Sequence, residues 1–286
     1  MIRVGVVYPQ IELGGSPEAV REIGSAAETL GYDHLLMYDH VVGANPDREP
    51  KLWGPYTDQH PFHDPLVAFG FLSGITRRLQ FITGCVILPQ RQTVLVAKQA
   101  TDVELLSDGR LTLGVGAGWN PVEYEALGQD FHTRGRRLDE QIGFLRRLWS
   151  EPLLTWAGEF DRIDRACIIP RPKRRIPVWI GGFGEAAFRR AGRLGEGFIF
   201  AGPMETVIDA WARVRHHLAE AGRSLEGFGA LYIMTSAKSV DDAITTIERW
   251  RREGGTHASI YTMDQQFHTV AQHVDYLGKI RCQLTS

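Results

Sequence analysis

Cysteine is scarce. The three thiols in 286 residues, Cys85, Cys167 and Cys282, are odd in number and far apart. They offer neither a disulfide framework nor a CxxC metal or redox pair. The pattern fits a cytosolic protein with reduced thiols. An excess of charge is missing as well, since 32 basic side chains face 34 acidic ones. That balance excludes the basic footprint of a nucleic-acid binder, and nothing points to a membrane partner. No apolar run reaches the roughly 18 residues that a membrane helix requires. Residues 1–7 read as a strand with no cleavage-type segment behind it, so no signal peptide is expected. Internal repeats and low-complexity stretches are also lacking.

What the chain does have is alternation. Short β-branched or apolar runs fall at residues 2–8, 34–38, 79–86, 111–116, 178–180, 198–200, 230–235 and 259–261. Helical apolar spacing follows each of them, at 17–30, 65–75, 93–106, 134–150, 185–194, 205–221, 241–253 and 270–279. Such alternation implies parallel βαβ units. Eight of them are the number that closes a ring, so the reading is a single (β/α)8 TIM barrel spanning residues 1–286. An open doubly wound sheet is the competing architecture, though five to seven strands would be its norm. One stretch, 153–177, breaks the rhythm and reads as a small β-hairpin plus connector inserted before strand five. Its basic run, Pro170-Arg171-Pro172-Lys173-Arg174-Arg175, is read as solvated surface.

In a barrel, the loops after the strand C-termini build the site. Asp39-His40 follow strand two, and Gly84-Cys85-Val86 close strand three. Gly114-Val115-Gly116-Ala117-Gly118-Trp119-Asn120-Pro121 follows strand four, and Gly181-Gly182-Phe183-Gly184 follows strand five. Each has a plain alternative. Asp39 and His40 would serve equally as loop polars, and Cys85 reads as a small buried hydrophobe rather than a nucleophile. Gly114-x-Gly116-x-Gly118 misses the dinucleotide fingerprint, whose third glycine comes one place later at a helix opening. Asn120-Pro121 is taken to delay the helix. The Gly181–Gly184 turn fits a tight turn or, as preferred here, a phosphate on bare N–H groups at a helix N-terminus. His60-Pro61-Phe62-His63-Asp64 lies in a loop and reads as structural or substrate-facing, not as a metal pair.

As an ordered set these residues carry a resemblance. Residues 102–140, with Asp-Gly-Arg at 108–110, Gly114 to Pro121, Glu123-Tyr124 and Arg134-Gly135-Arg136-Arg137, closely resemble the luciferase-like monooxygenase superfamily. Leu36-Met37-Tyr38-Asp39-His40-Val41, Leu88-Pro89-Gln90-Arg91 and Pro177-Val178-Trp179-Ile180-Gly181-Gly182 match as well. Tyr38 to Ala44 together with Leu88 to Gln92 are most similar to its F420-dependent oxidoreductase branch. The likeness is specific from strand one to about strand six, and only general beyond.

The resemblance implies a flat deazaflavin, coenzyme F420, or alternatively FMN, lying in the barrel mouth and exchanging a hydride with a small organic substrate. It implies a proton-transfer role for Asp39 and His40 beside the reactive edge. It places a non-prolyl cis peptide between Cys85 and Val86, in a bulge behind the ring. Gly84, Cys85, Val86, Gly116, Gly118, Trp119 and Asn120 would line the cofactor. Gly181, Gly182, Phe183 and Gly184 would hold its phosphate, and Ala201 and Gly202 would complete the rim. Relatives that oxidise a sugar phosphate carry tryptophan where this chain has Ala44 and glutamate where it has Trp119, so a less polar substrate is expected. Three functions stay open: an F420-dependent oxidoreductase, an FMN-dependent monooxygenase with a separate flavin reductase, and a non-catalytic cofactor binder. A homodimer through the second and third helices is also expected.

Overall fold

The strands are apolar on both faces because both faces are covered. The computed structural model describes residues 2–285; Met1 and Ser286, the two ends of the expected 1–286 domain, lie outside them. In chain order the strands are β1 (Arg3–Val7), β2 (His34–Met37), β3 (Gln80–Thr83), β4 (Val86–Ile87), β5 (Leu111–Gly116), β6 (Leu154–Ala157), β7 (Arg162–Ala166), β8 (Val178–Gly181), β9 (Gly197–Ala201), β10 (Gly229–Met234) and β11 (His257–Ile260). Parallel pairing runs β1-β2-β3-β5-β8-β9-β10-β11 and returns from β11 to β1. The ring is closed with eight positions. β4 resumes the line of β3 beside β5, and β6–β7 is a separate antiparallel hairpin before the fifth position.

Helices occupy every crossover: α1 (Pro17–Thr29), α2 (Pro65–Ile75), α3 (Thr93–Leu106), α4 (Pro121–Ala126), α5 (Arg134–Ser150), α6 (Glu185–Leu194), α7 (Met204–Glu220), α8 (Val240–Arg252) and α9 (Val270–Thr285). Their starts follow local chemistry. Asp64 accepts hydrogen bonds from Leu66 and Val67 N–H at 2.9 and 3.2 Å, with Pro65 in the first turn. Ser16 and Pro17 open α1 in the same way.

Three expectations need correction. Residues 79–86 are not one strand, because Gly84-Cys85 interrupts it, and the non-prolyl cis bond joins Gly84 to Cys85 rather than Cys85 to Val86. Asn120-Pro121 does not delay a helix but starts one. The Asn120 side chain accepts from Val122 N–H at 3.1 Å, and proline suits a first turn whose N–H has no helical partner. The basic run is solvated as expected, with Pro170, Arg171, Lys173, Arg174 and Arg175 exposed, although Arg174 also reaches the buried Glu104 at 2.6 Å and Arg175 pairs with Glu196.

Alternation divides the core. Val7, Leu36, Ile82, Trp179, Ile199 and Leu231 are among those meeting inside the ring, while Val6, Leu35, Phe81 and Phe198 face the helices. The Trp179 indole fills the lower end where β9 and β10 offer glycines: a Cβ at Gly197 or Gly229 would lie 2.7 or 2.1 Å from it. A cavity of about 530 Å³ opens at that end, lined by Arg3, His34, Trp179 and His257. It lies at the strand N-termini, the face of a barrel concerned with stability rather than chemistry.

Candidate active site

Strand β2 delivers Tyr38, Asp39 and His40 to the opposite, C-terminal mouth. Asp39 is buried, and its carboxylate is engaged by the protein. Oδ1 accepts from Arg91 at 2.6 Å, and Oδ2 accepts the Ile87 N–H at 2.9 Å. Arg91 also reaches Asp64, the α2 cap, at 2.9 Å. The aspartate therefore braces the Gly84–Ile87 segment. Burial pushes its carboxyl above the usual range, while the Arg91 charge and the Ile87 N–H pull the other way.

His40 faces the mouth inside an aromatic box. Its ring meets Phe62, Tyr56 and Trp119 edge-on, with centroids at 4.9, 5.2 and 5.8 Å. Nδ1 lies 3.5 Å from Oε2 of Glu123, which is buried on α4. Among the described residues, Nε2 has no hydrogen-bond partner. Burial alone would raise the Glu123 carboxyl, but His40, the Val41 N–H and Gln90 outweigh it and hold it below the usual range. Burial likewise pushes Tyr38 up and Tyr56 up to about 12, so both hydroxyls stay protonated at neutral pH.

The floor is mostly backbone. Gly116 lies against Cys85 and Gly181, whose added Cβ would come 2.3 Å from the Cys85 Sγ. Gly84 donates its N–H to Met37 C=O at 2.7 Å and packs so closely that a Cβ would strike Leu36. Val86, next to it, is buried in β4. Gly118 turns with φ +64°, which favours glycine, and leads to Trp119, whose indole is pressed against Gly54 and 5.5 Å from Trp53. Burial, then the Asp39 charge, pushes the Cys85 thiol up to about 12, so it is a neutral thiol and a poor nucleophile.

Beyond that floor lies the Gly181–Gly184 turn. Gly182 sits at φ +153°, Phe183 is exposed, and Gly184 precedes α6 with no side-chain cap. Uncapped N–H groups and the positive end of the helix dipole face outward there. Ala201 ends β9 beside them, and Gly202 accepts from the Tyr232 hydroxyl at 2.9 Å. Asn120 is the exception among the expected lining residues, because its side chain is spent on capping α4. His60 and His63 are likewise engaged, with Thr57 and the Gly15 C=O, while Phe62 between them reaches His40. Among the described residues no group of three His, Cys, Asp or Glu side chains is placed to hold a metal ion. None of their helices is long and apolar enough to cross a membrane.

Sequence reasoning missed Glu123 and Arg91 as functional residues. Both stood inside quoted motifs, yet their partners lie 83 and 52 positions away (123 − 40, 91 − 39). Tyr56, in the long β2–α2 loop, carried no signal beyond being aromatic, whereas Phe62 stood inside the 60–64 segment read as structural or substrate-facing.

The luciferase-like monooxygenase family matches residues 3–279, and the chain belongs to it. It is an enzyme of that oxidoreductase class. An uncharacterized protein of Mycobacterium tuberculosis is 34% identical over 224 residues, covering 72% of this chain and 76% of that one. A protein of Intrasporangium calvum named F420-dependent glucose-6-phosphate dehydrogenase is 32% identical over 208 residues, covering 70% of this chain and 58% of its own. An F420-dependent secondary alcohol dehydrogenase, solved in complex with an F420–acetone adduct, superposes with a TM-score of 0.80 at 15% identity and 98% coverage of both chains.

Proposed function

We propose that this protein is an F420-dependent oxidoreductase that moves a hydride between the deazaflavin and a small, weakly polar organic substrate. The observation that carries the reading is the flat floor of Gly116, Gly181 and Cys85, with His40 beside it and the uncapped α6 terminus beyond. A tricyclic ring fits a floor without projecting side chains, and its phosphate fits the open N–H groups of the Gly181–Gly184 turn. When bound, the deazaflavin supplies a carbon that accepts or returns a hydride. His40 Nε2 takes the hydroxyl proton when an alcohol is oxidised, or gives it back when a carbonyl is reduced. Tyr56, Phe62 and Trp119 exclude water around that exchange. The named Intrasporangium relative supports the deazaflavin but not its sugar-phosphate substrate. Ala44 is buried and Trp119 is an apolar wall, so nothing here replaces the tryptophan and glutamate of such enzymes.

Titrating the protein separately with F420 and with FMN, and following quenching of cofactor fluorescence, tests the reading. Saturable quenching of F420 with FMN left unchanged is expected. The reverse result, joined to oxygen consumption with a flavin reductase, would replace it with an FMN-dependent monooxygenase. Binding without turnover across alcohols and carbonyls would leave a carrier.

We also propose a homodimer through α2 and α3. Val67 is 68% and Leu95 52% exposed, with Phe71 and Val94 beside them, and neither Gly70 nor Gly74 would bring a Cβ near any atom. This apolar strip exceeds what one side of a helix needs in a monomer. Light scattering should return twice the chain mass at micromolar concentration, and Val67→Glu with Leu95→Glu should halve it. A monomer mass for the unmodified protein contradicts the pairing.

A further inference from the structure

Glu123 is an unusual occupant for a short helix. It is 1% exposed, and each of its oxygens has a distinct task. Oε1 accepts from the Val41 and Val42 N–H groups at 2.5 and 3.2 Å, clamping the turn that follows His40. Oε2 accepts from Gln90 Nε2 at 3.1 Å and faces His40 Nδ1 at 3.5 Å. A clamp for the turn alone would need only the first oxygen. The second is a buried negative charge with one neutral donor, Gln90, and one imidazole in front of it. A carboxylate there accepts but cannot donate, so it stabilises the ring form with the proton on Nδ1. Free histidine prefers the other form, with the proton on Nε2. The remaining neighbours of the ring, Tyr56, Phe62 and Trp119, meet it through aromatic contacts and set no preference of this kind.

We infer that Glu123 is the positioning residue of this site: it holds His40 as the Nδ1–H tautomer and so keeps the Nε2 lone pair directed at the substrate. The inference rests on His40 being the proton-transfer group of the reaction proposed above. When Nε2 takes the substrate proton, the ring becomes an imidazolium, and the Glu123 carboxylate opposes that new charge across the ring. An orienting carboxylate behind a histidine base is the same logic as in hydrolase triads, carried here by a different fold. Glu123 is buried behind the imidazole, so its effect on the proton transfer passes through His40.

The test separates this role from a merely structural one. Glu123→Gln keeps an oxygen for the Val41 and Val42 N–H groups but presents an amide NH2 to Nδ1. The lone pair must then turn toward Glu123's position, and the proton moves to Nε2. Nitrogen-15 NMR of the imidazoles in the cofactor-free protein, at a pH where the ring is neutral, reads the tautomer directly. Unmodified protein should show Nδ1–H for His40, and Glu123→Gln should show Nε2–H. Turnover with F420 should fall about 10–100-fold, the usual cost of losing an orienting partner, while KM and F420 affinity change little. The NMR result stands even if the protein takes another cofactor, so failure of the F420 reading is distinguishable. An Nε2–H tautomer in the unmodified protein overturns the inference, even should the variant not fold. A variant with an unaltered tautomer overturns it as well.

Discussion

Replacing His40 with alanine is expected to cut turnover about 10²–10⁴-fold, the usual worth of a positioned general acid or base, while leaving F420 affinity nearly intact. The split follows from what the side chain touches. His40 stands among Tyr56, Phe62 and Trp119 with Nε2 open, whereas the floor proposed to carry the cofactor is built from Gly116, Gly181 and Cys85. Losing the imidazole removes an interaction made in the transition state and little that is made in the ground state, so kcat and kcat/KM should fall together. Cys85→Ser is the contrast. A half-buried thiol that keeps its proton at neutral pH and is given no covalent role should be replaceable within a few-fold. Steady-state kinetics beside fluorescence titration of both variants checks the pair. A silent His40→Ala joined to an inactive Cys85→Ser would assign the chemistry to the wrong strand.

Arg91→Met should be the most damaging change to stability, by about 3–5 kcal/mol at neutral pH. Arg91 is the only cation paired with Asp39 among the described residues, and the carboxylate side chain is 1% exposed. Removing the cation strands a negative charge where burial already pushes the carboxyl up. The pH dependence follows from that direction. With the arginine gone, the folded-state value rises further above the unfolded one. The neutral acid is then tolerated at low pH, and stability is lost as pH rises through the raised value. The deficit against unmodified protein should therefore shrink in acid and widen toward neutrality. Asp39→Asn in the same chain should return part of it, because the stranded charge is then absent. Urea midpoints at acid and neutral pH measure both effects. A single variant as stable as the parent, or a deficit indifferent to pH, would show that Asp39 does not depend on Arg91.

How much of this could be read beforehand differs between elements for physical reasons. α2 and α6 were legible to the residue, because Asp64-Pro65 starts one and glycines bracket the other. Closure of the ring was legible from counting the alternation. The break in the third strand was only partly legible: the resemblance put a bulge one bond too late, and Gly84, disfavoured in strands, does not by itself say which peptide turns. α4 was misjudged because proline after asparagine was weighed as a breaker instead of a first-turn residue. In the site, the positions of His40, Cys85, Gly116 and Gly181 followed from motif order at the strand ends. Their company did not. Val41 meets Glu123 across 82 positions and Asp39 meets Arg91 across 52. Such pairings depend on barrel register, which no period along the chain records. Asp39 was accordingly grouped with His40 as a catalyst, while its carboxylate faces Arg91 and the Ile87 N–H.

The tryptophan at the lower end of the ring has a bearing on traffic. With Trp179 filling the space beside Gly197 and Gly229, and Leu36, Ile82 and Leu231 stacked inside the ring, the described residues leave no passage between the two mouths. The cup is blind. Whatever rests on the glycine floor therefore enters and leaves by the upper mouth alone, since the interior side chains leave it no second door.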